Sequence, residues 1–225
     1  MEKTVATNRL SYLESYTMLS ELSHQENVSF EPSGKSTFLL NKDNEEFLYF
    51  KIPPLFPAPE ISEPLPDYIK KVPETPPPYI LYLVQAGAAA LGYFEKGEVI
   101  KHKTLTKYMV RKKQGKSQLT YLRQKGKSRA GSRVRLRESL EFFEGINHRL
   151  IDWKEHINKA AFIFYSCPIR LTNELYLART PPPFERNNKR LKKIPFHVKT
   201  PNHKELMHIN YLINSGYLLS ETAGN

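Results

Sequence analysis

The segment that most constrains the fold is Tyr79–Gln85, with the sequence Tyr-Ile-Leu-Tyr-Leu-Val-Gln. The run is almost continuously apolar and is bounded by Pro78 and Gly87. A strand with one face in water alternates apolar and polar residues, whereas a strand covered on both faces is apolar throughout. The segment therefore predicts a central strand that is buried on both faces of a sheet.

A long amphipathic helix is predicted downstream of this strand. Ser132 follows Gly131 and is a candidate N-cap, so we expect a helix over residues 133–157 with Gly145 as its weak point. Apolar residues recur there at steps of three and four, which predicts one core-facing stripe made of Leu136, Leu140, Phe143, Ile146, Leu150 and Trp153. Strands that alternate with helices indicate an α/β domain with a mixed central sheet and packed helices.

Changes in composition predict the domain boundaries. Residues 1–33 are polar with a weak helical pattern, which predicts an N-terminal helix or arm. Residues 34–78 are predicted to form a hairpin followed by a connector without regular structure that packs on the domain, because 52–78 holds ten of the 17 prolines. Residues 79–216 are predicted to form the principal domain, and residues 217–225 a tail.

The positive charge of the chain is concentrated in one segment. Between Lys101 and Arg137 there are fourteen Lys or Arg residues and no Asp or Glu. The chain holds 34 basic and 23 acidic residues, so the remainder has 20 basic against 23 acidic. Clustered cations gain free energy by releasing counterions from phosphates. The segment therefore predicts a site for a polyanion, and RNA is the polyanion that we expect.

Other functional classes are disfavoured by what the sequence lacks. Cys167 is the only cysteine, which excludes an internal disulfide and a multi-cysteine zinc module. The seven His are scattered without metal-ligand spacing, so we expect no metal. No apolar run approaches the roughly 20 residues of a membrane helix, and the N-terminus has no secretory signal. We therefore expect a cytoplasmic protein without a membrane segment.

Several short motifs lie at His102-Lys103-Thr104, at Tyr108–Gln118, at Lys125–Arg135 and in two C-terminal segments, Leu191–Phe196 and Thr200–Leu206. Together they resemble the motifs of the Vms-like release factor family. The domain of this family is similar to the middle domain of the eukaryotic peptide-chain release factor, which carries a Gly-Gly-Gln tip. The resemblance covers residues 78–214. It implies an RNase H-like architecture with a catalytic domain over 79–216, in a minimal bacterial member.

The resemblance also implies roles for individual residues. Gln118 matches the catalytic glutamine and Gly115 the first loop glycine, while Lys116 stands where some members have a second glycine. The start of the following helix, with Ser128, Gly131 and Ser132, offers backbone N–H groups that favour a phosphate. The residues expected to bind RNA are Arg111, Lys112, Lys113, Lys116, Lys125, Lys127, Arg129, Arg133 and Arg135.

The implied activity is hydrolysis of peptidyl-tRNA on stalled ribosomes. A glutamine can position water and stabilise a developing oxyanion, although it cannot act as a general base near neutral pH. The expected partners are the large ribosomal subunit and peptidyl-tRNA or tRNA, and the protein is expected to be a monomer that needs no cofactor. Two alternatives stay open: an RNA- or ribosome-binding module without catalysis, and a nuclease that cleaves the tRNA acceptor end.

Overall fold

The structure is a computed structural model, and it describes residues 5–25, 28–32, 37–42, 46–60, 63–107 and 130–221. The described elements, in chain order, are β1 (Val5–Leu10), α1 (Tyr12–Leu22), β2 (Val28–Pro32), β3 (Thr37–Lys42), β4 (Glu46–Lys51), α2 (Leu65–Lys71), β5 (Tyr79–Gln85), β6 (Ala88–Glu95), β7 (Glu98–Thr106), α3 (Ala130–Asp152), α4 (Lys154–Lys159), β8 (Phe162–Ser166), α5 (Ile169–Leu177), β9 (Leu191–Lys193), α6 (His203–Ile213) and β10 (Gly216–Glu221).

The chain divides into two compact units. The first unit consists of Met1–Pro77 together with Asn210–Asn225, and the second is Pro78–Ile209. The two ends of the chain therefore belong to the same unit, and α6 contains the point at which the division falls.

The second unit is built on a five-stranded mixed sheet with the order β7-β6-β5-β8-β9. β5 pairs with β6 antiparallel and with β8 parallel, so it is the middle strand. Six of its seven residues are buried, which confirms the predicted central strand. The prediction of an α/β domain with a mixed sheet is also confirmed.

Tight turns connect the first three strands of this sheet. Gly87 has a φ of 81° in the turn between β5 and β6. Lys96 and Gly97, with φ values of 51° and 82°, form the turn between β6 and β7. Positive φ at both central residues is the geometry of a two-residue hairpin turn whose twist matches that of the strands. The hairpin places β7 at the edge of the sheet, with its C-terminal end at Thr106.

α3 supplies much of the core on one face of the sheet, although the predicted stripe is wrong at one residue. Phe143, Ile146, Leu150 and Trp153 are buried as expected. Leu140 is 48% exposed, because the buried face also includes Ser139 and Phe142 and so turns Leu140 towards water.

The predicted weak point of this helix is also misplaced. The helix runs unbroken through Gly145 and ends at Asp152, and α4 begins after Trp153. A Cβ at Gly145 would lie 3.2 Å from Leu105 Cδ2. The glycine therefore permits close packing of β7 on α3, and the helix does not break there.

Gly92→Ala is expected to destabilise the second unit by about 1–3 kcal/mol, as overpacking of a filled core does. A Cβ at Gly92 in β6 would lie 2.5 Å from Phe94 Cε2, 2.9 Å from Phe94 Cζ and 3.1 Å from Leu206 Cδ2. Urea unfolding followed by the fluorescence of Trp153, the single tryptophan of the chain, measures this change.

Gly145→Ala is the matched control for this substitution. Its new methyl group would meet one flexible side-chain atom at 3.2 Å, and alanine gains about 1 kcal/mol of helix propensity over glycine. We expect a change of less than about 1 kcal/mol in either direction. Equal losses for the two variants would contradict the packing argument at Gly92.

The first unit has its own antiparallel sheet with the order β1-β10-β4-β3-β2. The predicted hairpin is confirmed, since β3 pairs with β4 in a register that places Leu40 opposite Leu48. The helix near the N-terminus is α1, which begins with a capping box between Ser11 and Glu14.

Two expectations for the first unit differ from the structure. The proline-rich connector contains α2, because Pro66 lies in the first helical turn, where its missing N–H would have no intrahelical partner. Gly216–Glu221 forms β10, which pairs with both β1 and β4, where a tail is expected from residue 217. Pairing between segments so far apart in sequence gives no local signal.

Candidate functional site

The predicted catalytic tip lies outside the described residues. This holds for Gly115 and Gln118 and for eight further residues of the predicted set, which are Arg111, Lys112, Lys113, Lys116, Lys125, Lys127, Ser128 and Arg129. The structure does place the segments on either side of residues 108–129, namely the end of β7 and the start of α3. The structure therefore gives the geometry of these two flanking segments, which we call the base of the site.

The remaining predicted residues lie on one element, the first part of α3. Gly131, Ser132, Arg133 and Arg135 all fall within the helix, which is described from Ala130 onwards. The prediction that Ser132 is the N-cap is therefore wrong. Capping preference is worth about 1 kcal/mol, and a long helix packed on a core can override it.

Lys107 joins the two segments at the base of the site. Its Nζ lies 3.1 Å from Glu138 Oε2 and 3.0 Å from Glu141 Oε2, both on α3. Its backbone N–H donates to Gly87 O at 3.0 Å. The carboxylates of Glu141 and Glu138 hold the pKa of Lys107 above its usual value. The end of β7 is thus tied to both the sheet and the helix.

The two faces of β7 contact different helices. Leu105 packs against the core on the α3 side. His102, opposite Gly92 in the register, contacts His203 of α6 with 4.4 Å between the ring centroids. Lys101 and Lys103 are exposed. The base of the site is therefore packed on both faces of β7 and carries cations that face water.

Other kinds of site find little support in the described part of the chain. Burial raises the pKa of the Cys167 thiol to about 11, so the thiol is protonated near neutral pH and is a poor nucleophile. Among the described residues, no group of three or more His, Cys, Asp or Glu is arranged to hold a metal ion. None of the described helices is both long and apolar enough to cross a membrane.

Two features of the charge distribution are missing from the sequence prediction. Lys107 is not among the predicted residues, although Glu138 immediately follows the acid-free segment. Residues 179–204 hold eight Lys or Arg against the single Glu185. Outside both basic segments the chain has 12 basic and 22 acidic residues, so the acidic remainder offsets the second segment in the charge balance of the whole chain. The second segment is evident only in the local composition.

Comparison with known proteins agrees with this architecture. Residues 79–218 match the family of the Bacteroidetes VLRF1 release factor. Over 134 residues, 58% of this chain, the sequence is 26% identical to the "tRNA endonuclease ANKZF1" of Mus musculus, of which it spans only 18%. The fold is similar to that of the "Vms1 mitochondrial localization core", with a TM-score of 0.56 and 15% identity over 93% of this chain and 95% of that one.

These matches confirm the resemblance that the loop and helix motifs indicate. The matched segment covers more than half of the 225 residues and contains the basic segment, the described base and the sheet of the second unit. The chain therefore belongs to the Bacteroidetes VLRF1 release factor family.

Proposed function

We propose that this protein hydrolyses the ester bond of peptidyl-tRNA on stalled large ribosomal subunits, with Gln118 at the tip of the basic segment. The observation that carries the proposal is the family match over residues 79–218, which includes Gly115 and Gln118 within an acid-free run of cations. The ribosome as a partner also implies a cytoplasmic location, and we propose that the protein acts as a monomer.

The chemistry needs only residues that this segment contains. The Gln118 side chain would aim a water molecule at the ester carbonyl, and its backbone N–H would face the oxyanion that develops. Lys112, Lys113 and Lys116 would neutralise the phosphates of the acceptor end, so that the tip can enter an RNA cavity. No metal or cofactor takes part in this scheme.

The described base supports this role by fixing where the segment starts and ends. Lys107 is held by Glu138 and Glu141, so the tip would be carried by a rigid platform. Gln118 is 11 residues from Lys107, and at about 3.3 Å per extended residue the chain permits a reach of up to about 36 Å. A long segment on a firm base suits a catalytic residue that must enter a narrow cavity.

One observation favours a second function. The similar mouse protein is named a tRNA endonuclease. The same tip could serve cleavage of the acceptor end, in which a ribose hydroxyl attacks the adjacent phosphate in line and leaves a cyclic phosphate. The bond to the next nucleotide breaks, the proton of the hydroxyl passes through water to the departing oxygen, and Arg111 or Arg135 stabilises the charge that develops. We favour ester hydrolysis because the release-factor-like Gln118 is the recognisable feature.

One assay tests the proposal against its alternatives. Purified protein is added to large subunits that carry labelled peptidyl-tRNA, and the products are separated on a denaturing gel. We expect free peptide together with tRNA of full length. A tRNA shortened at its 3′ end would indicate the nuclease. Binding that weakens steeply with salt, without release or cleavage, would indicate a binding module.

A further inference from the structure

The second unit has a group of exposed cations at the opposite edge of its sheet from β7. We call Arg186, Lys189, Lys192 and Lys193 the β9 basic surface, and all four are exposed. They lie within the segment 179–204, where Glu185 is the only acidic residue. In the part of the chain that the structure describes, no carboxylate pairs with any of the three lysines.

The sheet accounts for how these cations are presented. Among the described strands, β9 pairs with β8 alone, in a parallel register that places Lys192 beside Phe164 and Lys193 beside Tyr165. Successive residues of a strand point to opposite faces, so the two lysines flank the edge from both sides. Leu191 packs against the core and anchors the strand. The edge is therefore fixed and its cations project into water.

Arg190, next to this surface, has a structural role and serves as a comparison for the other cations of the segment. Its Nη1 donates to Ile157 O at 2.7 Å and to Ala160 O at 3.0 Å. These contacts fasten the segment to the end of α4 and occupy the guanidinium. The three lysines of the β9 basic surface have no comparable role within the described chain.

Arg186 is held in place and still faces solvent. Its guanidinium lies over the Tyr176 ring, 4.7 Å from the centroid, and Nη1 donates to Asn173 Oδ1 at 2.9 Å. A guanidinium has five N–H donors in a fixed fork that suits phosphate oxygens, and one is used here. Pre-organising the side chain lowers the entropy lost when it binds a ligand.

Protection of the sheet edge does not account for the whole surface. Lysines on an edge strand discourage the addition of another strand, which disfavours an extended peptide as the partner of β9. This explanation covers Lys192 and Lys193 only. Arg186 and Lys189 precede β9, where there is no strand edge to protect. Exposed cations that extend beyond the strand edge suit a polyanion better than an extended peptide.

We propose that the β9 basic surface binds the phosphate backbone of tRNA, as a second contact separate from the tip. This choice of partner rests on the proposed function. Strands lie about 4.8 Å apart, so the β7 and β9 edges are separated by roughly 19 Å. This separation is shorter than the stretch of about 16 base pairs that a double-stranded RNA-binding domain spans on A-form RNA. One tRNA can therefore span both edges.

The test compares three double variants by measuring their affinity for deacylated tRNA at several salt concentrations. Lys192→Gln with Lys193→Gln is expected to weaken binding about tenfold at low salt and to lower the salt slope by about two. Lys154→Gln with Lys159→Gln removes two exposed cations of α4 and is expected to bind like the unmodified protein. Lys192→Arg with Lys193→Arg keeps the charge and is expected to preserve binding.

The outcomes separate this inference from the proposed function. An unchanged affinity and salt slope for the double Gln variant would overturn it. A loss confined to vacant large subunits, with tRNA binding intact, would also overturn it, because the partner would then be ribosomal RNA. Peptide release is scored in a separate assay, so a protein without release activity can still show the predicted loss of tRNA binding.

Discussion

Gln118→Ala is expected to lower the rate of peptide release about 100-fold, because alanine keeps the backbone N–H but removes the side chain that positions the water, and misplacing a reacting group costs about that much in other enzymes. The loss should appear in single-turnover release from stalled subunits at saturating protein. Affinity for the stalled complex should stay within about twofold, because the cations that neutralise phosphate carry the binding. The separation of rate from affinity is the signature of a group that acts on the reacting bond.

Gln114→Ala provides a matched control in the same segment. It makes the same change of side chain four residues away and leaves every cation in place. Release by this variant should match that of the unmodified protein within about threefold. Comparable losses at Gln114 and Gln118 would show that the segment tolerates no truncation, and would remove the support for Gln118 as the catalytic residue.

A Gln118→Ala variant that releases peptide at the unmodified rate would contradict the assignment directly. If the variant instead shortens tRNA as fast as the unmodified protein, the nuclease chemistry uses another group. Arg111 and Arg135 are then the next residues to substitute, since both lie in the same acid-free segment. Either outcome leaves the tRNA-binding prediction for the β9 basic surface to be judged separately.

Local patterns predicted the middle of the second unit well. A buried strand is specified by its own residues, which is why β5 was predicted from Tyr79 to Gln85. The helical stripe was also largely predictable. Leu140 was wrongly included because a spacing of three or four residues admits both edges of a stripe, and only the packing partners decide which edge faces the core.

Features that depend on distant partners were not predictable. The pairing of β10 with β1 and β4 joins the two ends of the chain. The ion pairs of Lys107 with Glu138 and Glu141 connect residues more than 30 positions apart. The sequence does not predict the strand that presents the β9 basic surface, because β9 has three residues and gives almost no periodic signal.

Asn147 shows how such a distant contact supports the second unit. The residue is fully buried in α3, and its Nδ2 donates to Leu175 O and to Thr180 O, at 2.8 Å each. Leu175 lies in the last turn of α5, where carbonyl groups have no partner within the helix. Glu144 Oε1 accepts from Thr180 N at 3.2 Å. α3 therefore caps α5 and fixes the segment that leads to β9.

Asn147→Leu is expected to reduce the free energy of unfolding by about 2–4 kcal/mol, because two carbonyl groups lose their donor and a buried, unsatisfied group costs about 1–3 kcal/mol. Leucine has as many side-chain heavy atoms as asparagine and is the bulkier of the two, so the substitution leaves no cavity. Urea unfolding monitored by Trp153 measures the loss in the unit that contains Asn147, since both residues lie between Pro78 and Ile209.

His148→Ala is the control from the neighbouring position. His148 is exposed and reaches Thr180 Oγ1 only at 3.4 Å, so its removal should cost less than about 0.5 kcal/mol. Equal effects at positions 147 and 148 would show that the α3–α5 contact depends on packing and not on the two hydrogen bonds. Asn147 fixes the segment that leads to β9, whereas Arg133 and Arg135 lie at the other end of α3. We therefore expect folded Asn147→Leu protein to bind tRNA more weakly through the β9 basic surface, with a smaller effect on the rate of peptide release.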